Sequence, residues 1–178
     1  MRLFVALAIP EPIAQCLMLI QGGVPGARWQ TREQLHLSLR FIGEADGREA
    51  AMLEDALAGI EGKAFDLELH GAGQFGNRQP HTLWVSARAG EPLAQLQRKV
   101  DNAIRRVGEP RDPHKFTAHV TLARLKHPEN AKVVEWLTHH ALFVSPKFRV
   151  TDFQLYSSLL TDGGSIYHIE RDYPLEAT

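Results

Sequence analysis

Apolar and polar positions along the chain fall into short runs of differing period. Arg2 to Ile9 (RLFVALAI) is almost wholly apolar, the pattern of a central strand buried on both faces. Pro10-Glu11-Pro12 then opens a helix to about Gln21, stopped by Gly22-Gly23. From Gln34 to Phe41 the chain alternates, with Leu35, Leu37 and Leu39 on one side and His36, Ser38 and Arg40 on the other, which predicts a half-buried strand. Asp46 is placed to cap a helix carrying Leu53, Leu57 and Ile60, with Gly62 just past its end. Phe65 to Leu69 and Thr82 to Ala87 read as two more strands. A helix with Pro92 in its first turn shows Leu93, Leu96, Val100, Ile104 and Val107 on one face and stops at Gly108. Ala118 to Leu125 alternates again, Pro128-Glu129-Asn130 begins a helix through Val133, Val134 and Leu137, and Phe148 to Leu159 with Ile166 to Arg171 predicts a closing hairpin around Thr161-Asp162-Gly163-Gly164.

Two halves of this layout match. In each, a strand bearing His-x-Ser/Thr-x is followed, after a turn, by an amphipathic helix, and the two histidines are 83 residues apart. Strands and helices are mixed rather than strictly alternating. The expected class is therefore α+β, with two pseudo-symmetric lobes of antiparallel sheet, outer helices and a cleft between the lobes. No linker or low-complexity segment divides residues 1–178, so one bilobal domain is expected.

Composition adds limits. The chain has 178 residues, 20 lysines and arginines against 21 acids, and a formal charge of −1, which excludes a dedicated basic nucleic-acid coat. From Arg98 to Lys126, however, eight basic residues face three acids, a positive segment that could steer a polyanion or simply form the solvated face of a helix. Cys16 is the only cysteine, so no internal disulfide forms, and its apolar neighbours predict a buried, inert thiol in a reducing compartment. The apolar start resembles a secretory signal but is cut by Pro10, and no run approaches the roughly 18 apolar residues of a membrane span. A soluble, cytoplasmic monomer is expected.

Several motifs lack the context their chemistry needs. Gly71-Ala72-Gly73-Gln74-Phe75-Gly76 spells a dinucleotide loop, but a strand rather than a helix follows, so a glycine-rich turn is expected. Adjacent His139 and His140 on a helix diverge, and no metal-binding spacing occurs; neither metal nor cofactor is expected. The pair His36-Leu37-Ser38-Leu39 and His119-Val120-Thr121-Leu122 differs in kind. Residues i and i+2 of a strand share a face, so each motif sets an imidazole beside a hydroxyl. Two such strands facing one cleft suit phosphoryl chemistry, one imidazole taking a proton while the other gives one, and hydroxyls bonding the phosphate oxygens.

These residues resemble the RNA 2′,3′-cyclic phosphodiesterase family, also called the 2′-5′ RNA ligase family, within the two-histidine phosphoesterase superfamily. The resemblance runs nearly end to end, through RLFVALAI, Arg28-Trp29, LHLSLRFIG at Leu35 to Gly43, AHVTLARL at Ala118 to Leu125, and Leu155-Tyr156-x-Ser158-x-Leu160 with Gly163-Gly164 and Tyr167. It implies His36 as general acid toward a departing O3′, His119 as the base activating water, and Ser38 and Thr121 as phosphate ligands. Phe41 and Arg124, each five residues beyond its histidine, match positions that bracket the nucleobase. Ideal alternation would put both on the face opposite the histidines, so strand ends or bulges must turn them. Serine at position 38, where many members carry threonine, keeps the hydroxyl and loses a methyl that restrains it. The implied substrates are RNA 3′ ends or nucleoside 2′,3′-cyclic phosphates. Metal-independent hydrolysis to 2′-phosphates, 2′-5′ ligation at the same site and a non-catalytic RNA-end binding module are the readings to separate.

Overall fold

The computed structural model describes residues 1–88 and 90–177. Its antiparallel strands are β1 (Arg2–Ala8), β2 (Ala27–Trp29), β3 (His36–Glu44), β4 (Phe65–Phe75), β5 (Thr82–Arg88), β6 (His119–Leu125), β7 (Phe148–Val150), β8 (Asp152–Thr161) and β9 (Gly164–Pro174). The helices are α1 (Glu11–Leu19), α2 (Gly47–Ala58), α3 (Gly90–Arg106) and α4 (Asn130–His139). Strand order is β7-β4-β5-β6-β3-β1-β8-β9, with β2 beside β6. The two motif strands are thus neighbours at the centre. They share a single register pair, Leu37 with Val120, so the expected two lobes, β3-β1-β8-β9 and β7-β4-β5-β6, meet at one seam.

Local sequence explains most elements. The Asp46 side chain accepts from Glu49 N at 2.8 Å while Glu49 returns a bond to Asp46 N, a capping box that starts α2. Leu93, Leu96, Val100 and Ile104 are buried on α3 as their spacing predicts. On β1, Leu3, Val5 and Leu7 enter the main core while Phe4 and Ala6, on the other face, join Tyr156 and Tyr167 in a separate cluster, so burial on both faces is borne out.

Three expectations need correction, and two short elements were not foreseen. Gly71 to Phe75 is no turn: β4 continues through it, because Gly71 (φ 66°) sits at a bulge and Gly73 leaves room for the Trp84 ring lying across it. The run from Phe148 to Leu159 is two strands, since β7 leaves to pair with β4 before β8 begins. The short β2 and the 3₁₀ turn Arg32–Gln34 lack a hydrophobic period and escaped the pattern. Cys16 is only partly buried, at the margin of the Ile13, Ala14 and Leu17 stripe of α1.

Candidate active site

The seam builds the site. Leu37 and Val120 both point into the core, which turns their flanking residues to the other face of the sheet. The antiparallel direction then puts His36 and Ser38 of β3 on the same face of the sheet as His119 and Thr121 of β6, on either side of the Leu37–Val120 pair. The four residues that the sequence paired within strands are thus brought together across them.

Phe41 and Arg124 join this face through matched irregularities. In β3, Ala6 pairs with Ser38 but Val5 with Arg40, leaving Leu39 as an extra residue. In β6, Trp84 pairs with Thr121 but Leu83 with Ala123, leaving Leu122 extra. A one-residue bulge shifts every later side chain to the opposite face. Both strands consequently show the same burial sequence, half-buried, buried, half-buried, buried, buried, exposed, ending on Phe41 and Arg124. Phe41 is registered beside Phe4 and is 47% exposed, while Arg124 is registered beside Thr82 and donates to its Oγ1 at 3.2 Å.

Each imidazole is oriented by the same local bond. His36 Nδ1–H donates to Gln34 O at 2.8 Å, and His119 Nδ1–H donates to Thr117 O at 2.6 Å, in both cases the carbonyl two residues upstream. A carbonyl only accepts, so each Nδ1 carries hydrogen and each Nε2 is free for proton exchange in the neutral ring. Ser38 Oγ lies 3.0 Å from His36 Nε2. The surroundings differ. His36 is boxed by Phe4, Tyr156 and Tyr167, with ring centroids 4.9, 6.3 and 5.2 Å away. His119 rests against Phe75 and Trp84, at 4.9 and 6.0 Å.

Burial pushes the His36 pKa down to about 4; the Gln34 carbonyl opposes this, while nearby His119 and Arg124 add to it. His119 is lowered as well, by burial first and by Arg124, against the pull of the Thr117 carbonyl. His36 thus lies within electrostatic range of His119 and Arg124, and His119 within range of Arg124. Such a face can hold and exchange a proton at two Nε2 atoms, bond an anion through two hydroxyls and one guanidinium, and offer an aromatic ring to a planar group.

Sequence reasoning missed the aromatic walls. Phe4, Tyr156 and Tyr167 lie on three different strands of one lobe, and Phe75 and Trp84 on two of the other. Tyr156 and Tyr167 stood among the residues that carry the family resemblance but were given no role, Phe4 and Trp84 lay within expected strands, and Phe75 fell in the stretch expected to be a turn. Among the described residues no three His, Cys, Asp or Glu side chains converge, and no helix is long and apolar enough to cross a membrane.

Comparison with known proteins agrees with this architecture. A model of the 2′-5′ RNA ligase superfamily matches residues 20–162. The Archaeoglobus fulgidus RNA 2′,3′-cyclic phosphodiesterase is 30% identical over 171 residues, covering 94% of this chain and 96% of that one. The Aeropyrum pernix protein of the same name is 33% identical over 138 residues, covering 76% and 78%. Among solved structures, a Thermus thermophilus protein superposes with TM-score 0.83 at 25% identity over 99% of both chains, and apo E. coli LigT with 0.77 at 25% over 98% and 97%. With the family match spanning most of its length and both motif strands included, this chain belongs to the 2′-5′ RNA ligase superfamily.

Proposed function

We propose that this chain hydrolyses the 2′,3′-cyclic phosphate of an RNA 3′ end to a 2′-phosphate, with His119 as general base, His36 as general acid and no metal ion. The observation that carries the reading is the seam register, which sets two Nδ1-anchored imidazoles and two hydroxyls on one face. The relatives named RNA 2′,3′-cyclic phosphodiesterase support the substrate class, as does E. coli LigT solved with 3′-AMP, at TM-score 0.75 and 25% identity.

In this scheme the cyclic phosphate sits between Ser38 and Thr121, whose hydroxyls donate to its non-bridging oxygens as charge builds there. His119 Nε2 takes a proton from water. The water oxygen bonds to phosphorus, the P–O3′ bond breaks, and His36 Nε2–H gives its proton to O3′, leaving a 2′-phosphate and a 3′-hydroxyl. The assignment suits access to water: His119 is the less enclosed ring and is open to water, whereas His36 is walled off from it by aromatic rings. With its pKa held at about 4, His36 is neutral in the empty site at pH 7, and the phosphate monoanion beside Ser38 supplies the charge that lets it carry a proton.

The test is turnover of 2′,3′-cyclic AMP with product analysis. Wild type yields 2′-AMP, and His36→Ala and His119→Ala each lose roughly 10²–10⁴-fold in kcat. Wild-type rate in either variant, abolition by a chelator, or a 3′-AMP product overturns the scheme. A joined product with added 5′-hydroxyl RNA would assign the same site to ligation, and binding without turnover would leave only an RNA-end module.

A further inference from the structure

The two lobes close their seam differently. On β6, the edge beyond Val120 is taken by β2, which pairs Ala27–Trp29 with Ala123–Leu125. The equivalent edge of β3, from Leu39 to Phe41, has no strand beside it among the described residues. Instead α3 reaches it by a side chain, Gln97 Nε2 donating to Leu39 O at 3.4 Å, and the segment 108–117, with Pro110 and Pro113, is tied to β3 through the bond from Arg40 to the Pro110 carbonyl. The space left is a groove of about 910 Å³ that opens into the cleft at Ser38, Phe41 and His119.

Its charge is one-sided once pairs are removed. Asp101 and Asp112 both face Arg40, at 2.7 and 4.0 Å, and Asp112 also takes His114 at 3.1 Å. Arg98 pairs with Glu91. Arg105, Arg111 and Lys115 line the groove, are exposed, and hold no ion pair among the described residues. Phe41 and Phe116 add ring faces to the same wall. Unpaired cations along a groove interleaved with aromatic rings are what a single-stranded nucleic acid requires, since phosphates need charge and unstacked bases need flat partners.

We propose that this groove binds the nucleotides preceding the RNA end, with Arg105, Arg111 and Lys115 on their backbone phosphates, so that the preferred substrate is an oligoribonucleotide rather than a free cyclic nucleotide. The inference rests on the hydrolytic reading above and specifies its substrate. An acidic peptide adding a strand to the open β3 edge is the competing occupant; the open cleft end beside two phosphate-handling hydroxyls favours RNA.

The experiment compares kcat/KM for a short oligoribonucleotide ending in a 2′,3′-cyclic phosphate with that for 2′,3′-cyclic AMP, across a salt series, in wild type, Arg111→Gln and the triple variant Arg105→Gln/Arg111→Gln/Lys115→Gln. The triple variant is expected to lose about tenfold or more on the oligonucleotide through KM, to stay within about twofold on cyclic AMP, and to show a salt slope shallower by about 2, with Arg111→Gln intermediate. Equal losses on both substrates, an unchanged oligonucleotide KM, or no oligonucleotide preference in wild type overturns the groove. If neither substrate turns over, the hydrolytic reading fails by itself, and fluorescence anisotropy of a 3′-phosphorylated oligoribonucleotide still reads the groove: the triple variant binds more weakly if it is right and equally if it is wrong. Tighter binding of a poly-glutamate peptide than of that oligonucleotide also overturns it.

Discussion

At the scale of single residues, the two histidines are held alike and housed differently. The i−2 carbonyl contact fixes both tautomers, and enclosure sets both pKa values below the ordinary 6.5. If one protonated and one neutral ring are required, the free-enzyme optimum lies between two lowered values, so the kcat/KM profile should be bell-shaped with its maximum on the acid side of pH 6.5. A maximum above pH 7 contradicts the assignment. Stability follows the same logic. Above pH 6.5 His36 is neutral folded or unfolded; as pH falls below 6.5 the unfolded chain takes up a proton that the folded chain refuses until about 4. Folding should therefore weaken between pH 6.5 and 4, by about 2–3 kcal/mol at pH 4.5. Urea unfolding at pH 7 and 4.5 should show that loss in wild type and a smaller one in His36→Gln. Ser38→Thr should keep or raise kcat, since it restores a restraining methyl to a hydroxyl already 3.0 Å from His36 Nε2, while Ser38→Ala lowers it.

Elements decide where those residues point. The five-residue offset of Phe41 and Arg124 from their histidines is legible in the sequence, but simple alternation aims both into the core. The bulges at Leu39 and Leu122 reverse them, and neither leucine differs in type from its neighbouring core positions, so nothing local announces the bulge. Gly73 is the opposite case, a glycine visible in sequence whose reason lies on the next strand. A β-carbon there would approach the Trp84 ring to 2.3 Å, and Trp84 in turn flanks His119. Gly73→Ala should cost roughly 1–3 kcal/mol in urea unfolding and lower kcat as the Trp84–His119 contact shifts. Unchanged stability would mean that Trp84 moves aside freely.

For the molecule as a whole, the site depends on how two lobes meet. The lobes share one register pair and one buried core, and a buried cation adds a polar tie: Arg40, 7% exposed, bonds Asp101 on α3 and the carbonyls of Phe41 and Pro110. Removing the carboxylate leaves a buried guanidinium short of its partner, with Asp112 only at 4.0 Å. Asp101→Ala is expected to cost about 3 kcal/mol in denaturant unfolding. A near-zero cost would show that Asp112 and the two carbonyls suffice.

The sequence alone determined the helices, the main strands, the α+β class and the two His-x-Ser/Thr strands, because each rests on a local period or on residue types two positions apart. Only the tertiary structure decided that the motif strands are neighbours, that both His-x-Ser/Thr faces lie on one side of the sheet, and that Phe41 and Arg124 turn toward that side. The aromatic walls and the unfilled edge of β3 belong with these. All are relations between segments tens of residues apart, fixed by register and by which edge a strand occupies, and no local pattern encodes either.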